Sequence, residues 1–388
     1  MRNTTISIIK ALAIILMVIG HADCPGWLSA FLYEFHMPVF FACAGYFFSL
    51  KYLHQEATFV KRRFKGLYLP FVKWSVFFLI IHNLMFSIGL LNERYGNWTG
   101  GVTHPYTWHQ AQQRLWNIVT AMGGYDEFLC GAFWFFRALL VASIGWLVVF
   151  KLTDWLATYL GQTVRATSLA DRFAGAINYL SNRRYTLVIP LLCSLVFLLL
   201  AGWKTYSGLR IVNLVQGGYR DLMGGFFFGC GFLFRQWEHI YRPRWWTTFL
   251  FAAVVAWFSV YATANMNWRS TFQQFLWLPI PALCGCLMTY DVATYIDNHR
   301  DNLLHRFLCF CGDNTLPIFV FHIISFKLVS VLKIMYYGMD WGQIGCHMVI
   351  HDHAHEDFFW ILYAIVGVGL PLACTWGWRR LSGHQVNH

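Results

Sequence analysis

The sequence predicts an all-α integral membrane protein: a polytopic bundle of about ten transmembrane helices, one domain over residues 1–388, with N- and C-termini cytoplasmic. Three observations predict it. Hydrophobic residues make up 57% of the chain and charged residues only 12%, about half the charged share of a soluble domain. Apolar runs close to 20 residues recur, the length that crosses about 30 Å of hydrocarbon. Lys and Arg collect in alternate connections, the asymmetry that sets orientation in a bilayer.

The runs lie near 6–23, 29–49, 70–92, 131–151, 187–203, 219–235, 246–264, 273–291, 315–335 and 358–378. The first is long, interrupted by Lys10 and His21, and followed by no small-residue cleavage site, so it reads as a retained span rather than a signal peptide. The second carries Glu34 and His36, and Pro70 opens the third. Arg137 lies inside the fourth, Arg220 and Asp221 open the sixth, and the ninth holds His322 and Lys327. With the N-terminus inside, the inner segments hold Arg2, Lys51, Lys61, Arg62, Arg63, Lys65, Lys151, Arg183 and Arg184 among others. The outer segments hold only Arg94, Arg114, Lys204, Arg210 and Arg269. The net charge of +11 therefore reports topology and a bilayer partner, not nucleic acid.

Two long connections interrupt the spans, an outer one at 93–130 and an inner one at 152–186. In the first, "WHQAQQRLWNIVTAM" sets Leu115, Trp116, Ile118, Val119 and Met122 at mostly helical spacing, which predicts an amphipathic helix on the outer interface. Trp98, Trp108 and Trp116 either stack on a sugar or belong to an aromatic belt. Most of the eleven cysteines fall inside apolar runs, which describes no disulfide framework. Cys24, Cys130 and Cys346 share the outer side and read as reduced thiols, with a bridge as the alternative.

Lys10 and His21 are unusual in such a run, because a bilayer penalises both. Eleven positions apart, they share one helix face, about 16 Å from each other along the axis. The plain readings are a lysine snorkelling to the headgroups and a histidine hydrogen-bonded within the bundle. For Glu34 the plain reading is an ion pair with Arg137 or His36, and for Arg220 an ion pair with Asp221. In "CHMVIHDHAHEDFF", His347, His351 and His355 recur every four residues, a face that would suit zinc or nickel if helical.

A basic residue, ten positions and then His21, followed by "EFHMPVFFACAGYFF", resembles the acyltransferase-3 family of multispan enzymes that modify surface polysaccharides and lipid-linked glycans. "VKRRFKGLYLPF", "GAFWFFRALL" and "GDNTLPIFVFHIISFK" resemble its later segments, in order, so the likeness spans residues 10 to about 327. Lys10 stands where the family usually has arginine, and Arg62 with Lys65 is the nearest equivalent of its Arg-x-x-Arg signature, with Arg63 as the alternative; lysine keeps the charge without the bidentate fork.

The resemblance implies acyl transfer from cytosolic acetyl-CoA to a sugar hydroxyl of an envelope glycan or lipid-linked sugar, in a bacterial inner membrane. It implies no tightly bound cofactor and no metal. His21 is then the base, since an imidazole suits proton abstraction from a hydroxyl at neutral pH. Glu34 is the carboxylate expected to orient it, with Asp23 and His36 as neighbours. Lys10, Arg62, Arg63 and Lys65 would bind the donor, and Arg137 would hold acceptor oxygens or polarise the thioester. His322 enters through the ninth-span motif alone. The rival class is a transporter or flippase for a glycolipid or small anion, whose path intramembrane Lys, His, Arg and Glu would also line. The paired broken helices of common transporter folds are missing from the sequence.

Overall fold

The computed structural model describes residues 3–96, 104–123, 129–165, 181–209, 218–267, 269–300, 302–351 and 357–382. Regular structure among them is helical throughout. We number the main helices α1 (Thr4–Gly20), α2 (Gly26–Tyr33), α3 (His36–Tyr46), α4 (Glu56–Arg63), α5 (Leu69–Ser87), α6 (Trp108–Ala121), α7 (Trp134–Arg165) and α8 (Ile189–Ser207). They continue with α9 (Tyr219–Trp237), α10 (Trp245–Tyr261), α11 (Phe272–Trp277), α12 (Pro279–Asp297), α13 (Leu303–Asp313), α14 (Thr315–Tyr337) and α15 (Phe359–Leu381).

Every one of the ten predicted spans is helical, and the chain is a multi-pass helical membrane protein. Six helical stretches are long and apolar enough to cross a bilayer: Gly26–Tyr46, Glu56–Ser87, Trp134–Tyr159, Arg184–Ser207, Thr315–Tyr337 and Phe359–Leu381. That is fewer than the ten expected. α1 and α10 are apolar but only 17 residues each. α9 and α12 reach 19 residues but are diluted by Arg220, Asp221, Asp291 and Asp297.

The second span is not one helix. Pro38 lacks the N–H that would bond the Glu34 carbonyl, and its ring crowds that oxygen, so the chain breaks at Phe35 (φ −135°, ψ −22°) and restarts at His36. The same chemistry widens the turns before Pro70 and Pro190 into π-helix, over Phe64–Tyr68 and Arg184–Val188. The first of these widened turns follows directly on the Arg62–Arg63 pair.

The helix predicted to lie on the outer interface instead packs antiparallel along α5. A Thr107–Gln110 capping box starts α6, His82 and Asn83 bond the backbone at 104 and 106 at one end, and the Tyr68 hydroxyl donates to the Val119 carbonyl (2.7 Å) at the other. Ile118 and Met122 are buried by this packing, while Trp108 and Trp116 stay exposed. Trp98 lies outside the described residues.

α1 is the central element, burying Ile8, Ala11, Ala13, Ile14, Met17 and Val18, with Leu12, Ile15, Leu16 and Ile19 half-buried, and packed against α3, α12, α13, α14 and α15. A helix apolar all round belongs in the middle of a bundle, and this one carries His21 at its end. α3 packs closely on α9 because glycine permits it: a Cβ at Gly45 would collide with the Phe228 carbonyl, and one at Gly231 with that of Ala42. The N-terminal end of α1 shares its level with Tyr46, Glu238 and Asp297, and with the loop leading to the Glu56–Lys151 and Asp154–Arg184 pairs. We call this the basic end and the other the histidine end. The eleven cysteines are free thiols.

Candidate active site

α1 ends at His21, whose backbone N–H closes the last turn onto Met17 and Val18. Asp23 then takes a left-handed conformation (φ 60°), which Asp tolerates better than most residues, and the chain turns back toward α2. The His21 ring is thereby presented at the end of the central helix, half-buried.

The partner of His21 is His322, fully buried on α14. The rings stack with centroids 5.3 Å apart and planes 17° from parallel, and His21 Nδ1 lies 3.0 Å from His322 Nε2. The network assigns the tautomers. His322 Nδ1 faces the carbonyls of Phe319 (2.9 Å) and Ile318 (3.1 Å), which only accept, so it carries the proton. His322 Nε2 is therefore an acceptor, His21 Nδ1 donates to it, and His21 Nε2 keeps its lone pair.

The expected Glu34–His21 arrangement is absent. Glu34 is fully buried at the α2–α3 break, with the Ala264 backbone beside its carboxylate and no ion pair among the described residues. A second histidine, not a carboxylate, orients His21. Nor does Glu34 pair with His36 or Arg137. His36 Nδ1 donates to the Leu32 carbonyl (2.7 Å) and its ring stands edge-on to Tyr33, whose hydroxyl reaches the Gly20 carbonyl (3.2 Å). Asp23 bonds His351 Nδ1 (2.9 Å) rather than His21.

Arg137 and Asp221 form a buried ion pair at 3.4 Å, their side chains 4% and 3% exposed. Among the described residues it is incompletely satisfied: Arg137 Nε and Nη1 and Asp221 Oδ1 have no hydrogen-bond partner there. Asp221 thus pairs across helices with Arg137, while Arg220 donates to the Met266 carbonyl (2.8 Å) and lies over Trp134 (3.9 Å).

The histidine-rich loop covers this end, and its described part is not helical. Cys346–Val349 are bends, with Met348 left-handed (φ 59°), so His347 and His351 do not share a helix face. His353 and His355 lie outside the described residues. Among the described residues no set of three His, Cys, Asp or Glu side chains is arranged to hold a metal. The loop is instead pinned from beneath. Buried Lys327 donates to the Ile344 (2.7 Å) and Cys346 (2.6 Å) carbonyls, and buried Lys333 pairs with Asp357 (2.9 Å). The pinning sets His347 within electrostatic reach of His21. Burial, then the Lys327 ammonium and His351, push His347 down to about 4.

A cavity of about 190 Å³ lies one helical turn from the histidine pair, lined by Ile14, Met17, Phe40, Phe135 and Phe319 and bordered by Gly66 and Leu67 of the π turn. Of the basic residues beside that turn, Arg62 is exposed and donates to the Tyr52 hydroxyl (2.8 Å), and Lys65 is exposed. Arg63 turns inward, donating to the Ala44 carbonyl (3.4 Å) and lying over Phe59 and Phe228. Lys10 is half-buried, with the Cys43 thiol among its electrostatic neighbours.

The half-buried His21 imidazole, His322 behind it and the cavity one helical turn away make up the candidate site. Residues 3–378 match the family described as an acyltransferase domain, acyltransferase-3. No curated protein and no solved structure matches the chain. The family match covers nearly the whole sequence, His21 and His322 included, and the chain belongs to the acyltransferase-3 family.

Proposed function

We propose that this acyltransferase moves an acetyl group from cytosolic acetyl-CoA to a sugar hydroxyl of a cell-envelope polysaccharide or lipid-linked glycan, in a bacterial inner membrane. The observation that carries the reading is the tautomer chain from the Phe319 carbonyl through His322 to His21, which leaves His21 Nε2 as a base beside a cavity that begins one turn away.

On this reading the basic end is cytoplasmic. Arg62 and Lys65 contact the donor phosphates as charge-assisted partners, and the donor's flexible arm follows the cavity from Gly66 toward Met17. Lys10, on the face of α1 that ends in His21, adds positive charge on the donor's side. The acceptor sugar approaches from the histidine end under the His347 loop.

His21 Nε2 removes the hydroxyl proton as the oxygen attacks the thioester carbonyl. The C–S bond then breaks, and the leaving thiolate takes the proton back from His21. His322 stabilises the transient imidazolium by accepting its Nδ1 proton in a hydrogen bond, the part a carboxylate plays in hydrolase triads. The unpartnered N–H groups of Arg137 are the donors we assign to the developing oxyanion.

The test is transfer of labelled acetyl from acetyl-CoA to a lipid-linked glycan extract by the purified protein in proteoliposomes. Labelled glycan with stoichiometric free CoA supports the reading. Intact donor with every acceptor and acyl length offered would overturn it.

A further inference from the structure

A second cavity, of about 340 Å³, lies on the other side of α3, between α1, α3, α9 and α12 at the basic end. Ile6 and Ile9 line it from α1, while each of the other three helices contributes residues spaced over seven positions: Val39 to Tyr46, Cys230 to Trp237 and Leu283 to Tyr290. At 1.5 Å per residue the space is a shaft roughly 10 Å deep, running along the helices rather than across them.

Its wall is apolar, and the sulfurs of Cys43, Cys230 and Cys286 that face it are weak hydrogen-bonding groups. The hydroxyls in it are those of Tyr46 and Tyr290, at one end, and both donate to Glu238, at 2.5 and 2.9 Å. Asn3 and Arg235 bond the same corner, Asn3 to the Tyr46 hydroxyl and Arg235 to the Tyr46 and Phe48 carbonyls. An ordered water needs two to four polar partners, and this wall offers none along its length. The space is half open between the helices, so its apolar wall is left to an apolar occupant rather than to ordered water.

We propose that the shaft binds one hydrocarbon chain of an amphiphile, its polar group lying at the level of the Tyr46–Glu238–Tyr290 belt. Depth along the helix direction, an apolar wall and a polar aromatic rim at one end fit a chain lying parallel to the bilayer lipids. They do not fit a sugar or a nucleotide. The site lies across α3 from the cavity at His21 and is independent of the acetyl-transfer reading. The chain has two sources, a membrane phospholipid or a long-chain acyl-CoA, and the experiment separates them.

Full-length protein in nanodiscs is irradiated with a phospholipid carrying a diazirine in mid-chain, or in a second arm with a diazirine-bearing palmitoyl-CoA, and adducts are mapped by mass spectrometry. The account predicts adducts on Cys230–Trp237 and Leu283–Tyr290 in at least one arm, and the arm that labels names the source. Cys286→Phe fills the shaft and abolishes those adducts, while adducts on outward-facing Phe249 and Leu250 persist. Should Cys286→Phe misfold, Leu287→Phe serves the same purpose. Adducts confined to the outward faces in both arms, or lining adducts undiminished in the filled variant, overturn the proposal.

Discussion

His322 Nε2 stands 3.0 Å from His21 Nδ1, and the two residues are 301 positions apart in sequence. The far nitrogen of His322 is fixed by two backbone carbonyls. A neutral ring held this way acts on His21 only by accepting its proton, so its contribution belongs to orientation and to the transition state rather than to substrate binding. His322→Ala should lower kcat by about a hundredfold, within the range general-base catalysis supplies, with KM for acetyl-CoA little changed. His322→Gln, which offers an amide oxygen to His21, should recover part of the rate. A loss confined to KM would contradict the assigned role, and so would a Gln variant no better than Ala.

The two arginines before the π turn should separate cleanly. Arg62 is exposed and Arg63 is packed over Phe59 and Phe228. Arg62→Ala should raise KM for acetyl-CoA and leave the thermal midpoint alone. Arg63→Ala should lower the midpoint through lost ring contacts worth about 0.5–1 kcal/mol each. Titrating the donor against both variants, with melting curves in detergent, checks the assignment. The reverse pattern would place the phosphate contact at Arg63.

Lys333 and Asp357 tie α14 to the segment that follows the histidine loop. Removing one member of a buried pair leaves the other charge uncompensated, at a cost of about 3–5 kcal/mol. Lys333→Met should therefore destabilise strongly and expose residues 341–351 to protease. The double change Lys333→Met, Asp357→Leu should be milder than the single one, because no charge is left stranded. Equal loss in both would mean that packing, not charge, holds the loop.

His347 gives the loop a pH limit. Its folded-state value near 4 lies below the unfolded value of about 6.5. As pH falls from 6.5 to 4 the unfolded chain binds a proton that the folded chain refuses, so stability is lost across that window and is intact above it. The groups facing His347 are Lys327, His351 and His21, and a proton there is repelled by the first whenever Lys327 is charged. The thermal midpoint of the wild type should fall more steeply between pH 6.5 and 4.5 than that of His347→Gln. Parallel slopes would contradict this.

Much of the bundle was legible because bilayer crossing is written in local composition: each apolar run became helix. What composition does not encode is where proline interrupts a run. Pro38 split the second span at Phe35, and the periodicity of "EFHMPVFFACAGYFF" carries no sign of it. The helix at 108–121 has the pattern of an interfacial helix; it runs along α5, with Ile118 and Met122 buried while Leu115, Trp116 and Val119 stay exposed, a tertiary choice that the pattern alone leaves open.

The site was legible in part. Lys10, His21 and His322 were singled out, but the His21–His322 contact joins α1 to α14, and no spacing rule reaches that far. Glu34 is the carboxylate the sequence offers to orient a catalytic histidine; the fold buries it at a helix break, with no hydrogen bond to that ring. Tyr33, Lys333 and the siting of His347 near His21 were missed. For the lysines a signal existed, since Lys327 and Lys333 are two basic residues inside one apolar helix, which the bilayer penalises unless something on the protein receives them.

The central claim is that His21 is the base of an acetyl transfer. The most direct measurement is release of free CoA with capture of labelled acetyl on a lipid-linked glycan, by wild-type protein and His21→Ala reconstituted at equal amounts in proteoliposomes. Transfer by the wild type and a loss of at least about a hundredfold in the variant are expected, with acetyl-CoA binding retained. Equal turnover by the two proteins would contradict it and remove His21 from the chemistry.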